Sequence, residues 1–236
     1  MAFLPPMFSG SDPVEIAMVI ILLVLCLAFH EVAHGWVAWK CGDTTAKDLG
    51  RLTLNPIPHI DLFMTILLPG LLYFGTGGKF VFGGAKPVPV SFHRLRHPWR
   101  DMSLVAIAGP LSNFLLALCF VAAWKFFMRT GYYNNPSVPS LRHEDFLPRI
   151  LLQAIQFNVL LAVFNLVPIP PLDGSRVMAW LLPENLRPSY VGLERYGMVV
   201  IVALLYLSPG FNAMIAHARD AVIELLDALV PIPLTA

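Results

Sequence analysis

Charged residues are scarce in this sequence, and their scarcity excludes most soluble folds. Asp, Glu, Lys and Arg make up 13% of the 236 residues, 57% are hydrophobic, and the mean hydropathy is +0.68. Soluble domains carry roughly twice that share of charge, about 25%. The apolar residues form long runs, close to the about 20 residues that a bilayer core requires. The composition therefore predicts an integral membrane protein, with residues 1–236 forming a single membrane domain.

Cysteine pairs and basic clusters are also missing. The three cysteines, Cys26, Cys41 and Cys119, form no CxxC pair, which argues against a disulfide framework and a cysteine-ligated metal. The net charge is +1 and no basic cluster stands out, so no nucleic-acid partner is expected. The partner that this composition predicts is the lipid bilayer.

The apolar runs predict an all-α membrane protein, a polytopic helical bundle with about four full transmembrane spans. These spans cover about residues 14–39, 102–128, 147–167 and 190–207. The apolar piece 62–74 is interrupted by Pro69 and Gly70, and at a helical length of about 20 Å it suits a re-entrant or short inserted segment. The core, residues 14–208, is followed by an amphipathic helix over 210–230, which is expected to lie at the membrane interface.

The stretch KFVFGGAKPVPV predicts a small β-hairpin-like loop. Two interpretations fit this loop: an ordinary reverse turn at the membrane surface, or a strand edge that pairs with an unwound substrate.

Basic residues are distributed unevenly and predict an orientation. The first thirteen residues contain no Lys or Arg, whereas the region between the first and second spans contains Lys40, Lys47, Arg51, Lys79, Lys86, Arg94, Arg96 and Arg100. Cytoplasmic loops carry the excess of Lys and Arg. We therefore expect a multi-pass protein of the cell (inner) membrane with its N-terminus outside. The C-terminal ends of the first and third spans then lie on the cytoplasmic side.

Three ionisable side chains interrupt the first apolar run, in the stretch LVLCLAFHEVAHGWVAW. Each such group costs about 2.5–3.5 kcal/mol at mid-membrane, so groups of this kind are usually paired and functional. His30 and His34 are four residues apart and share one helix face, while Glu31 lies beside that face. This is the H-E-x-x-H pattern of zinc hydrolases, in which the glutamate is the general base and not a ligand.

A catalytic zinc ion takes three protein ligands and keeps a position for water, so a third ligand is needed. Asp173, in NLVPIPPLDGSRVM, follows prolines that break the third span and lies on the same predicted side of the membrane. Gly174 beside it permits close backbone approach. Asp173 has two interpretations: the third zinc ligand, or the N-cap of a helix that begins there.

The segments FHEVAHGWVA, AGPLSN and NLVPIPPLDG, in this order, resemble the site-2 protease family of intramembrane zinc metalloproteases, and GGAKPVPV resembles its short bacterial subgroup. The resemblance covers about residues 14–180. It implies that His30, His34 and Asp173 bind one Zn²⁺ ion and that Glu31 is catalytic. It also implies that Asn113 supports the substrate or the transition state, although an amide in lipid also serves as a bond between helices.

The same resemblance implies regulated intramembrane proteolysis, with membrane proteins that contain transmembrane helices as substrates and an active site towards the cytoplasm. Two features depart from the family pattern. Asn165 precedes a Val-Pro-Ile variant of the aspartate motif, and the connection between the second and third spans is too short for a PDZ domain. Two other functions stay open from the residues alone: a membrane metal-ion transporter, since His, Glu and Asp in spans also form cation pathways, and a non-catalytic binder of membrane proteins.

Overall fold

The computed structural model describes residues 13–76, 83–130 and 146–231. Over these ranges the regular structure is helical. The helices are α1 Pro13–Lys40, α2 Thr45–Asp48, α3 Leu68–Gly75, α4 Pro98–Arg129, α5 Phe146–Asn165, α6 Asp173–Leu181, α7 Arg187–Gly192, α8 Glu194–Leu207 and α9 Pro209–Leu229. A π-helical turn, Leu62–Leu67, runs directly into α3, and short 3-10 turns cover Ile57–His59 and Phe92–Arg94.

Three of the described helices are long and apolar enough to cross a bilayer: Ile20–Lys40 within α1, Pro98–Arg129, and Leu147–Asn165 within α5. A fourth span results if α8 and α9 are counted together, although they meet at 90°. The polytopic helical architecture predicted from the sequence is thus confirmed, with three to four spans. The interfacial position of 210–230 stays a prediction.

The β-hairpin-like loop is not found among the described residues, none of which forms a β-strand. The KFVF half of the predicted hairpin lies within 77–82, outside those residues. The other half, 83–91, has an irregular backbone up to the turn at Phe92. Pro87 and Pro89 explain this, because a residue without an N–H donor cannot extend a regular ladder.

The short apolar segment is helical from Leu62 to Gly75. Asp61 begins it by accepting hydrogen bonds from the backbone N–H groups of Phe63 (3.0 Å) and Met64 (2.7 Å). This is the ordinary chemistry of a helix N-cap. Just before it, His59 is buried and contacts the Thr53 carbonyl at 2.9 Å through Nε2.

The helix α4 is the centre of the bundle and contacts α1, α5, α6 and α9. Its small residues allow this packing: Ala117 and Val121 are buried against Ile155 and Val159 of α5 and Leu226 of α9. At the far end of α4, the buried Lys125 ammonium donates to the Asp227 and Val230 carbonyls at 2.7 and 3.0 Å. A cation at these last carbonyls satisfies acceptors that a helix C-terminus leaves unpaired.

Candidate metal centre

The two histidines of α1 face each other. Their Nε2 atoms are 3.0 Å apart, and both residues are buried. The four-residue spacing places one ring above the other on the same helix face, and the rings meet edge to face with centroids 4.6 Å apart. One helix therefore supplies two converging imidazole nitrogens.

The helix α4 fixes both rings through their other nitrogens. The Val105 carbonyl lies 2.7 Å from Nδ1 of His34, and the Asn113 carboxamide oxygen lies 2.6 Å from Nδ1 of His30. Both partners are acceptors, so each Nδ1 donates its hydrogen and each neutral ring presents Nε2 as a lone pair. This is the arrangement usual for metal-ligating histidines.

Gly109 makes this contact between α1 and α4 possible. It lies midway between Val105 and Asn113 on the same face of α4. A side chain at this position would overlap the rings of His30 and His34. The geometry thus explains the AGPLSN motif. Gly109 leaves room for the two rings, and Asn113, one turn later, orients the ring of His30.

Asp173, at the start of α6, approaches the histidine pair from a different helix. Its Oδ2 lies 3.2 Å from Nε2 of His30 and 3.3 Å from Nε2 of His34. Gly174 allows this placement, because any side chain there would overlap the Leu166 carbonyl at the end of α5. The convergence predicted from the sequence is confirmed.

Of the two interpretations of Asp173, the N-cap of the following helix is wrong. The N-cap of α6 is Leu172, and no side chain forms a capping hydrogen bond there. The carboxylate points instead to the two imidazoles. The proline-rich segment after α5 therefore directs the Asp173 carboxylate to the histidine pair and not to the N-terminus of α6.

These three atoms fit a metal cation. His30, His34 and Asp173 form a group that could hold a metal ion, and Oδ2 of Asp173 is buried without a hydrogen-bond partner. With each Nδ1 donating elsewhere, the converging atoms are all lone-pair donors, which repel one another unless a cation lies between them. Tetrahedral zinc bonds of about 2.0–2.1 Å place ligand atoms about 3.3–3.4 Å apart, close to the separations seen here.

Glu31 lies beside this group and contacts a different element. Its Oε2 accepts a hydrogen bond of 2.7 Å from the backbone N–H of Val88. Val88 stands between Pro87 and Pro89, neither of which has an N–H. Its amide is thus the single backbone donor of residues 87–89.

The segment 83–91 is anchored at several points. The Gly84 amide donates to the Met64 carbonyl at 3.0 Å, the Lys86 amide to the His59 carbonyl at 2.8 Å, and the Ser91 amide to the Asp43 carboxylate. The Arg51 guanidinium donates to the Lys86 carbonyl at 2.9 Å. These bonds hold Val88 in place beside α1.

One polar residue near the site, Asn158, was missed in the sequence. Asn158 of α5 is buried and accepts from the Asn113 side chain at 2.8 Å, and its own amide group contacts Sγ of Cys26 at 3.0 Å. An uncharged amide in the middle of an apolar span is the signal that could have indicated Asn158. Asn113 itself is buried, with both ends of its carboxamide in protein contacts; a role for it towards substrate stays a prediction.

The comparison with family models shows to which protein family the chain belongs. Residues 18–208 match the model of peptidase family M50, and the match contains every residue of the group described above. The chain belongs to peptidase family M50, the site-2 protease family.

Individual M50 relatives support this assignment. The chain is 37% identical over 213 residues to YwhC of Bacillus subtilis, a predicted zinc metalloprotease, covering 89% of this chain and 91% of YwhC. It is 31% identical over 192 residues to Rip2 of Mycolicibacterium smegmatis, with the same predicted activity, covering 81% of this chain and 66% of Rip2. No solved structure matches the chain. The match with YwhC thus extends over most of both chains.

Proposed function

We propose that this M50 peptidase is an intramembrane zinc endopeptidase that hydrolyses peptide bonds in or near the transmembrane segments of membrane proteins. One observation carries the proposal. Three lone-pair donors, two from His30 and His34 of the membrane helix α1 and one from Asp173 at the start of α6, converge within 3.3 Å of one another, and Glu31 follows the first of them in the chain.

In this proposal His30, His34 and Asp173 hold one zinc ion. The carboxylate offsets part of the ion's charge, which matters in surroundings of low dielectric constant, and the three ligands together leave a fourth position for water. When bound, the ion supplies Lewis acidity that makes the water more acidic and polarises the substrate carbonyl.

Glu31 is the proposed general base. It would accept a proton from the attacking water and deliver it to the nitrogen of the leaving amine. The Val88 amide restrains one carboxylate oxygen, Oε2, and leaves Oε1 to take the proton. Holding the base in one geometry before the substrate arrives is a recognised contribution to catalysis.

The surroundings of the site suit a position near the cytoplasmic face. The Lys40 ammonium lies over the rings of Trp36 and Trp39 at 5.4 and 4.7 Å. Tryptophan and lysine at a helix end are typical of a membrane–water interface. Together with the basic residues between α1 and α4, this supports an N-terminus outside and an active site towards the cytoplasm.

Metal analysis and a cleavage assay on the same purified chain test the proposal. We expect about one zinc ion per chain, cleavage of a model membrane protein with one transmembrane helix, loss of cleavage on chelation and recovery with added zinc. Zinc flux into proteoliposomes measures the transporter alternative. Bound zinc with transport and without cleavage would overturn the protease proposal.

A further inference from the structure

A chain of buried hydrogen bonds runs from α5 through α4 to His30. The Asn158 amide donates to the Ala154 carbonyl at 2.8 Å, the Asn113 amide donates to Oδ1 of Asn158 at 2.8 Å, and Oδ1 of Asn113 lies 2.6 Å from Nδ1 of His30. Asn158 and Asn113 have no measurable exposure. Water therefore does not compete for these groups.

The direction of this series of hydrogen bonds is fixed at its Ala154 end. A backbone carbonyl only accepts, so the group of Asn158 that faces Ala154 must be its NH₂. The oxygen of Asn158 then faces Asn113, whose NH₂ must donate to it, and the oxygen of Asn113 faces His30. Each amide can have only one orientation, since a flip would bring two acceptors or two donors together.

The fixed direction of these hydrogen bonds also determines which ring nitrogen of His30 carries the hydrogen. Facing an acceptor, Nδ1 of His30 carries the hydrogen, and Nε2 is left as the lone pair directed at Asp173 and His34. We propose that Asn158 is a positioning residue that sets, through Asn113, which nitrogen of His30 is free to bind the zinc ion. The inference rests on the proposed zinc site, and it deepens that proposal by adding a residue on a third helix.

Cys26 is a secondary contact in this chain. Its sulfur lies 3.0 Å from the Asn158 amide nitrogen, but a thiol both donates and accepts weakly and does not determine a direction. The Ala154 carbonyl does. A Cys26→Ala variant is accordingly expected to keep the orientation of both amides.

The test uses the full chain and two measurements. The first is the zinc dissociation constant, obtained by competition with a chelator. The second is the ring-nitrogen state of His30 in zinc-free protein, read from ¹⁵N-histidine solid-state NMR, with the His30 signals assigned by their absence in a His30→Ala protein. The NMR measurement does not depend on activity or on bound metal.

Asn158→Leu keeps the size of the side chain but removes the acceptor and the donor. We expect zinc to bind about 10–100-fold more weakly, the loss typical of outer-shell partners, and a His30 signal that no longer reports hydrogen on Nδ1. Val159→Ala, which creates a cavity at the adjacent buried position, is the control: it should lower thermal stability and leave both readouts unchanged.

Asn158→Asp provides the second variant, because a buried carboxyl group stays protonated: its hydroxyl can donate to the Ala154 carbonyl while its other oxygen still accepts from Asn113. It should keep hydrogen on Nδ1 of His30 and bind zinc within a few-fold of the wild type. An unchanged dissociation constant and unchanged NMR signal in folded Asn158→Leu, or loss of both in folded Asn158→Asp, overturns the inference. A wild-type chain that binds no zinc defeats the proposed function instead, while the NMR result still decides the role of Asn158.

Discussion

The backbone amide of Val88 donates a 2.7 Å hydrogen bond to Oε2 of Glu31. The bond joins an irregular loop to the helix that carries the metal group, across 57 positions of sequence. Because both neighbours of Val88 are prolines, no adjacent amide can substitute for it. The loop thereby supports the proposed catalytic base, a role distinct from pairing with substrate.

Val88→Pro should remove this support while leaving the metal group intact. A hydrogen bond to a charged group contributes about 1.5–3 kcal/mol, so we expect kcat to fall about 10–100-fold with zinc content unchanged. Val88→Ala keeps the N–H and serves as the matched control. Steady-state kinetics on a transmembrane substrate measure both, and equal kcat values for the two variants would contradict the role of the amide.

Glu31→Gln should keep zinc bound and abolish cleavage. The glutamine side chain retains an oxygen for the Val88 amide, so the shape of the site persists while the base is lost. General-base catalysis contributes about 10²–10⁴-fold, and we expect a loss of that size. Metal analysis and the cleavage assay on one preparation test both halves. Cleavage near the wild-type rate would refute the assignment of Glu31.

Asp173→Ala should give the opposite pattern, because it removes a ligand and keeps the base. Two imidazoles without the carboxylate neither complete the coordination nor offset the ion's charge, so zinc should be lost on dialysis against a mild chelator. Glu31→Gln treated in parallel is the comparison, since it is expected to keep its metal. Equal zinc retention in the two proteins would show that Asp173 is not a ligand.

Much of the site could be predicted from the sequence because helices have a fixed period. The spacing of His30 and His34 determines that their rings share a face, and the proline-broken segment before Asp173 predicts a change of direction near the site. Backbone partners are different. Every residue has a backbone carbonyl and nearly every residue has a backbone amide. Only the fold shows that the Val105 carbonyl and the Val88 amide are the ones that contact the site.

Asn158 and the hairpin show two further limits of sequence reasoning. A single asparagine in an apolar span indicates a buried hydrogen bond, but its partner depends on how α4 and α5 are aligned. The alternating pattern in KFVFGGAKPVPV favoured strands, while Pro87 and Pro89 remove the donors that a strand needs. The two prolines outweigh the alternating pattern and account for the irregular backbone of 83–91.

Gly109→Ala should displace both histidine rings. A methyl group at this position would overlap His30 and His34, so α1 and α4 must separate or the rings must turn, and we expect zinc affinity to fall at least about 10-fold by the disturbance of ligand orientation. Gly210→Ala is the control, since a side chain there meets no atom within 4 Å and gains helix propensity. Zinc titration of the two variants checks this, and equal affinities would show that glycine is not required at position 109.

Asp43 should make the anchoring of segment 83–91 depend on pH. Burial raises the pKa of its carboxyl group, but hydrogen bonds from Thr45 and from the Ser91 amide outweigh burial and hold the pKa below its ordinary value of 3.8. A group whose pKa is lowered by folding stabilises the folded state fully above its unfolded pKa, and this stabilisation is lost as pH falls through the folded value. The anchor should therefore be intact at neutral pH and weaken only in acid below about pH 4.

Hydrogen–deuterium exchange of a peptide covering 83–91, corrected for the intrinsic pH dependence, measures this anchor. We expect protection to be constant from neutral pH down to about pH 4 and to fall below it. Asp43→Asn lacks the titrating group, so it should show lower protection that does not change over the same range. Asp48→Asn, which changes an exposed carboxylate in contact with Thr44, is the matched control and should follow the wild type. A wild-type profile as flat as that of Asp43→Asn would show that Asp43 does not hold the segment beside Glu31.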